Sequence, residues 1–309
     1  MTSAAADSRE SQRMMHASIS LRQFRLRGLL LCLLLGCFMP LQASTERALA
    51  NMESRDNPLL LISTASGDIY VELFPRAAPR NVERLLALAE AEQPIMLPNT
   101  IEPLFYHYYD GQRITRSVSD HYVIFGDDPA LTAADPLSLL LHEINAARLG
   151  LEEQPLFLAD GRPHPWLNLA SHEDFQQRVL TPLYESLGIS SQAQLAQRMS
   201  AVQQQLRSMS LADLYRLKGY RFDDALSSRM PLRGSVIMLP EGASGNRDGF
   251  FITLLDAPWL IGKNTVVGQV VEGLESVQRI NQTVGADRPV TIHQVRHANA
   301  PANNITIGE

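Results

Sequence analysis

A chain of 309 residues with 45% hydrophobic content is long enough for one large domain or two ordinary ones and can build a sizeable core, which excludes a disordered or fibrous chain. Its formal charge of -6, with no dense Lys/Arg patch interleaved with aromatics, leaves a nucleic-acid role without support. Cys32 and Cys37 are the only two cysteines and both lie near the amino terminus, so the rest of the chain has no disulfide framework.

Residues 1–50 read as a secretory signal peptide and leader. Arg22, Arg25 and Arg27 precede the apolar run Leu29 to Leu35, and small residues follow. That run is too short to cross a bilayer as an ordinary helix, so the order fits a cleaved export signal and predicts a periplasmic location. Cleavage is expected after Ala43 or Ala50. Leu34-Leu35-Gly36-Cys37 resembles a bacterial lipobox, and the alternative is a lipoprotein anchored through Cys37. Only in that case is a membrane expected among the partners.

Leu59 to Thr64 and Ile69 to Leu73, around Ser66-Gly67-Asp68, predict a β-hairpin. Pro75 and Pro79 end it, and Asn81 is a candidate cap for a helix Val82 to Ala91 with Val82, Leu85, Leu86 and Ala89 on one face. Gln112 to Phe125 reads as β-prone, with Arg116 as a charge in its midst, and ends at Gly126-Asp127-Asp128-Pro129. From 151 to 218 the pattern turns helical. Ser171 with Asp174, Ser191 with Gln194 and Ser210 with Asp213 predict caps on helices at about 173–187, 192–208 and 211–218, the first kinked or shortened by Pro182. This segment reads as an insertion whose apolar stripe packs on itself or on the β part. Ser235 to Leu239, Phe250 to Leu254 and Thr265 to Val271 predict a β-meander; Glu275 to Asn281 a short amphipathic helix; Val290 to Val295 a closing strand. Residues 297–309 are expected to form a flexible tail.

His142-Glu143 begins a HExxH-like string, but Ala146 stands in the place of the second histidine, so a structural histidine is the better reading and no metal is expected. The loop Glu241 to Gly249 lacks the Lys-Ser/Thr of a phosphate loop, and no GxSxG elbow is present. Hydrolytic and nucleotide chemistry have no residues to rest on.

Several stretches, in order and at matching spacing, resemble the cyclophilin-type peptidyl-prolyl cis-trans isomerases. They are Thr64 to Pro75 with Ala78 to Glu83, Tyr108-Tyr109-Asp110-Gly111, Gly126 to Pro129, and Phe250-Phe251-Ile252-Thr253 followed by Pro258-Trp259-Leu260 and Gly262-Lys263. The resemblance implies a mainly β fold: a closed antiparallel eight-stranded barrel capped by helices, over 51–296, interrupted by the mostly α-helical insertion at 151–218. It implies a rotamase that needs no cofactor and takes proline-containing polypeptide clients, here exported proteins. The alternative is a non-enzymatic proline-segment-binding or chaperone module that uses the groove and the insertion.

By the same resemblance Arg116 is the catalytic residue. Phe251 matches the floor of the proline pocket, Trp259 and Leu260 its rim, and Asn264 falls where the family has a histidine. With one residue inserted after Arg116, Tyr122 and Val123 take the places of the pocket phenylalanine and methionine and Phe125 that of the supporting glutamine. Without it, His121, Tyr122 and Ile124 do. Pro240 and Gly249 replace two further polar positions, which implies reduced activity.

Overall fold

The computed structural model describes residues 39–95, 102–127, 139–285 and 287–299. The chain divides into two units after Ala50. Of the first, a helix α1 (Met39–Asn51) is described; the run Leu29 to Leu35 and Cys37 lie outside the described residues. Among the described residues no helix is long and apolar enough to cross a membrane.

The second unit opens with the expected hairpin, β1 (Leu59–Thr64) and β2 (Gly67–Leu73), paired from Leu59↔Glu72 to Thr64↔Gly67. Gly67 has φ of 118°, a left-handed backbone open to glycine at little cost. Helix α2 (Pro79–Ala89) starts earlier than the residue types suggested, with Pro79 in its first turn. Asn81 is therefore no cap; it lies inside the helix and is fully buried. The cap comes from far along the chain. The Glu143 carboxylate accepts from the amides of Arg80 (3.0 Å) and Asn81 (2.9 Å) and from the Asn81 side chain (2.7 Å), satisfying free N–H groups with a negative charge at the positive helix end. The HExxH-like string is thus structural: His142 lies 2.8 Å from the Gly242 carbonyl, and burial holds its imidazole below the ordinary value.

Next come the short pair β3 (Pro94–Ile95) and β4 (Leu104–Phe105), then β5 (Arg113–Ile114), β6 (Ser117–Val118) and β7 (Tyr122–Phe125). Beyond the helical segment lie β8 (Ser235–Pro240), β9 (Asn246–Thr253), β10 (Val266–Glu272), helix α7 (Leu274–Thr283) and β11 (Val290–His297). Nine strands form one curled sheet in the order β5-β11-β1-β2-β10-β8-β9-β7-β6, where eight were expected. The β-prone stretch 112–125 forms three short strands, and the first two are the two ends of the sheet. The predicted meander is also reordered, because β10 returns to pair with β8, as Val266↔Ile237, rather than with β9.

One face of the sheet encloses the main core, which includes Leu60, Val71, Val123, Phe125, Phe250 and Ile252. Helix α2 packs on β11 and α7 on β2 and β7. The tail is tied down further than expected: the Ala298 amide donates to the Leu59 carbonyl (2.7 Å) and the Leu59 amide to Asn299 Oδ1 (2.6 Å).

The helical segment comprises α3 (His172–Phe175), a π turn (Gln176–Leu180), α4 (Thr181–Ser186), α5 (Gln192–Ser208) and α6 (Leu211–Leu217). All three predicted serine caps form. Ser171, Ser191 and Ser210 accept from the amides three residues on, and only Ser210 with Asp213 makes the reciprocal box. Pro182 lies in the first turn of α4, directly after the π turn: without an N–H it interrupts the ladder, and the extra residue absorbs the break. These helices bury a core of their own, with Leu156, Val179, Leu183, Leu211 and Tyr215, which also takes in Ile144 and Ile261.

Candidate active site

The two ends of the sheet, β5 and β6, are separated along the chain only by Thr115 and Arg116. Arg116 continues the β6–β7 ladder, since the Ile124 amide donates to its carbonyl at 3.2 Å. Ile124 pairs with Phe251, Phe251 with Ile237, and Ile237 with Val266. Directly opposed residues of an antiparallel sheet share a face, so Arg116 stands at the end of a row Ile124, Phe251, Ile237, Val266. The row is an apolar strip: Phe251, Ile237 and Val266 are buried, with Tyr122, Ile124, Leu239 and Leu260 packed against them. The Tyr122 ring lies 5.1 Å from that of Phe251.

Strand alternation puts Val123 and Phe125 on the other face. Both are fully buried in the main core, where Phe125 stacks on Phe250 at 5.4 Å with 5° between the rings. Neither therefore lines the apolar strip, contrary to expectation. The ungapped matching is the one compatible with the pleat. It places Tyr122 and Ile124 on the strip, and His121 6.2 Å from the Trp259 ring, on the one-turn helix Pro258–Leu260. Asn264 is buried outside the row, ahead of Thr265, whose hydroxyl accepts from Asn246 (3.0 Å) and from the Glu143 amide (3.0 Å).

The Arg116 side chain is about half exposed and forms an ion pair with Asp127, whose carboxylate is mostly covered. The β6–β7 turn that presents it is clamped from α7. Asn281 Nδ2 donates to the Val118 (2.9 Å) and Tyr122 (3.2 Å) carbonyls, and its Oδ1 accepts from the Asp120 amide (2.9 Å). Asp120 needs that support, having a left-handed φ of 59°. The residue types gave no sign of this role beyond a polar residue on the buried side of a helix next to Val277 and Ile280.

Asp248, in β9 two residues before Phe250, is pushed up to about 6 by burial, although Arg84 pairs with it at 3.2 Å and pulls the other way. Its carbonyl accepts from the Tyr109 hydroxyl at 2.8 Å. After Trp259, Gly262 adopts φ of 76°, and any side chain there would run into Leu151 and the Tyr215 ring, so the helical segment's core backs the turn that carries the rim.

The family described as cyclophilin type peptidyl-prolyl cis-trans isomerase/CLD matches residues 59–154 and 195–307. The chain belongs to this family. The cyclophilin match leaves 155–194, which hold α3, the π turn and α4, between its two parts. A peptidyl-prolyl cis-trans isomerase of Schizosaccharomyces pombe is 41% identical over 76 residues, covering 23% of this chain and 49% of that protein. One of Arabidopsis thaliana is 38% identical over 82 residues, covering 25% and 49%. The chain spans about half the length of the curated relatives it matches. Among solved structures, a cyclophilin of Hirschia baltica aligns over 80% of this chain and 76% of its own at 15% identity and a TM-score of 0.45. A Cryptosporidium parvum cyclophilin type isomerase covers 79% and 99% at 16% identity and 0.42.

Proposed function

We propose that this cyclophilin-family chain is a peptidyl-prolyl cis-trans isomerase acting on X-Pro bonds of exported proteins, with activity reduced by its apolar Ile124. The observation that carries the reading is the cross-strand row that puts Arg116 at the end of the sheet face bearing the apolar strip of Phe251, Tyr122 and Leu260. A proline ring seated on that strip presents its amide to a fixed cation. The rotation barrier of a peptide bond is about 18–20 kcal/mol, owing to C–N resonance. A donor aimed at the amide in its twisted form stabilises the state in which that resonance is lost, and nothing covalent is needed. We read the sheet as a barrel closed through 113–118, interrupted by a helical insertion at 151–218. The amino-terminal segment directs the chain to the periplasm, or to a membrane through Cys37.

The test is a proline-peptide isomerisation assay on the protein from Asn51 onward. Acceleration that Arg116→Ala lowers by about a hundredfold or more supports the reading, in line with loss of one electrostatic donor. No acceleration at high protein concentration overturns it.

One observation favours a second reading, a non-enzymatic proline-segment-binding or chaperone module. Ile124 offers the guanidinium no hydrogen-bonding side chain and Asp127 engages it instead. On that reading proline peptides bind with the affinity set by the apolar strip, and Arg116→Ala leaves both binding and the spontaneous rate unchanged.

A further inference from the structure

A cleft of about 1070 Å³ lies between the start of α2 and the segment 218–227 that follows α6, and shares no residue with the row that ends at Arg116. Four cations line it: Arg76, Arg80, Lys218 and Arg221. Among the described residues none of the four has a carboxylate within ion-pair distance. Arg84, Arg216, Arg229 and Arg247, on the same body, all do. The two acids in the wall are already engaged: Glu143 receives the amides of Arg80 and Asn81, and Asp223 that of Ala225 at 2.9 Å. Arg178 lies within electrostatic reach of this wall, since burial and the Arg178 guanidinium hold the Lys218 ammonium below its ordinary value. The same two causes, with Lys218 itself, lower Lys263 to about 8. A chain of net charge -6 thus concentrates unpaired positive charge in one concavity. Between the cations the wall is apolar, with Pro75, Pro79, Leu141, Phe222 and Leu226; Leu141 is 57% exposed.

We propose that this cleft is a second polypeptide site, which holds an acidic segment with interspersed apolar side chains while the Arg116 row works on a proline elsewhere in the same client. It rests on the isomerase reading only for the class of client. The placing of the four cations on two separate stretches, 76–80 and 218–221, with apolar residues among them, favours an extended peptide over a small anion. Guanidinium groups suit carboxylates through paired, parallel hydrogen bonds.

The experiment is fluorescence anisotropy of a labelled, proline-free decapeptide alternating Glu and Leu, added to the protein from Asn51 onward, with a Gln/Leu analogue beside it. The acidic peptide saturates the protein, the analogue binds about tenfold more weakly, and raising salt from about 0.1 M to about 0.5 M weakens only the former. Arg80→Gln with Arg221→Gln loses about tenfold, the sum of two exposed charge pairs, and Arg80→Lys with Arg221→Lys recovers most of it. Arg116→Ala leaves the affinity unchanged. Equal affinity for both peptides, or an unchanged affinity in the double glutamine variant, overturns the proposal. So does loss of binding in Arg116→Ala, which would assign the peptide to the family groove. Displacement of the peptide by micromolar pyrophosphate would make this a small-anion site instead. Because the probe lacks proline, a protein with no isomerase activity still gives a decisive answer here.

Discussion

Ile124 stands directly opposite Arg116, its amide bonded to the arginine carbonyl at 3.2 Å, and so fills the neighbouring place in the row that leads to Phe251. A glutamine in this place would offer the guanidinium a side-chain amide that isoleucine lacks. Ile124→Gln restores such a partner within reach of Arg116 and should raise kcat/KM by about tenfold, a gain of the size lost when reacting groups sit about 1 Å off position. The check is the peptide assay, with Arg116→Ala on the Ile124→Gln background returning activity to the Arg116→Ala level.

Phe125 and Phe251 occupy adjacent strands but opposite faces, and their substitutions should separate cleanly. Phe125→Ala opens a cavity beside Phe250 in the main core and should cost about 3–5 kcal/mol in denaturant unfolding, with little change in KM while the protein is folded. Phe251→Leu keeps most of the volume and should cost less than about 1.5 kcal/mol, but it removes the flat floor beside Tyr122 and should raise KM several-fold. A rise in KM from Phe125→Ala alone would reverse the assignment of faces.

Asn281→Ala removes three hydrogen bonds that hold the turn between β6 and β7. The Val118 and Tyr122 carbonyls and the Asp120 amide would have to find other partners, a loss of roughly 1–3 kcal/mol for groups that are partly buried. Because that turn presents Arg116 and Tyr122, kcat/KM should fall by more than the stability loss explains at temperatures where the protein is fully folded. Asn281→Asp keeps the acceptor but not the donors and should fall between the two.

Asp248 gives a pH signature. Its carboxyl is raised from the ordinary 3.8 to about 6 in the folded protein, with burial outweighing the opposing Arg84 charge. The folded state then binds the proton more tightly than the unfolded chain does. Stability contributed by this group is present below about pH 4 and is lost as pH rises to about 6, above which the curve is level. Thermal melting between pH 4 and 6 should show this decline, and Asp248→Asn should flatten it while raising the melting temperature at pH 7.

Much of this was legible in the residue pattern because short-range physics decided it. Two short β-prone runs around a Gly67 turn were enough for the first hairpin, and serine with a polar residue three places on gave all three helix caps in the helical segment. Long-range closure was not legible. The Glu143 carboxylate caps α2 from more than sixty residues away, so Asn81 looked like the cap when it is a buried member of the same network. The site failed at one place for a similar reason: a shift of one residue reverses every side chain in a strand, and the choice between Tyr122/Ile124 and Val123/Phe125 depends on pairing with β9 that no local pattern encodes. The clamp from Asn281 and the partner at Asp127 likewise come from separate elements meeting in space.

The sheet begins and ends in strands of two residues, and the chain between them carries Arg116. Such short edges hold few hydrogen bonds, so the cheapest way for this body to open is to part there while β1, β2, β8 and β9 stay paired. The arginine then acts as a thermal fuse. On warming, isomerase activity should fade several degrees before the β-sheet signal melts, and amide exchange at Ile114, Ser117 and Val118 should outpace that at Val71 and Ile252.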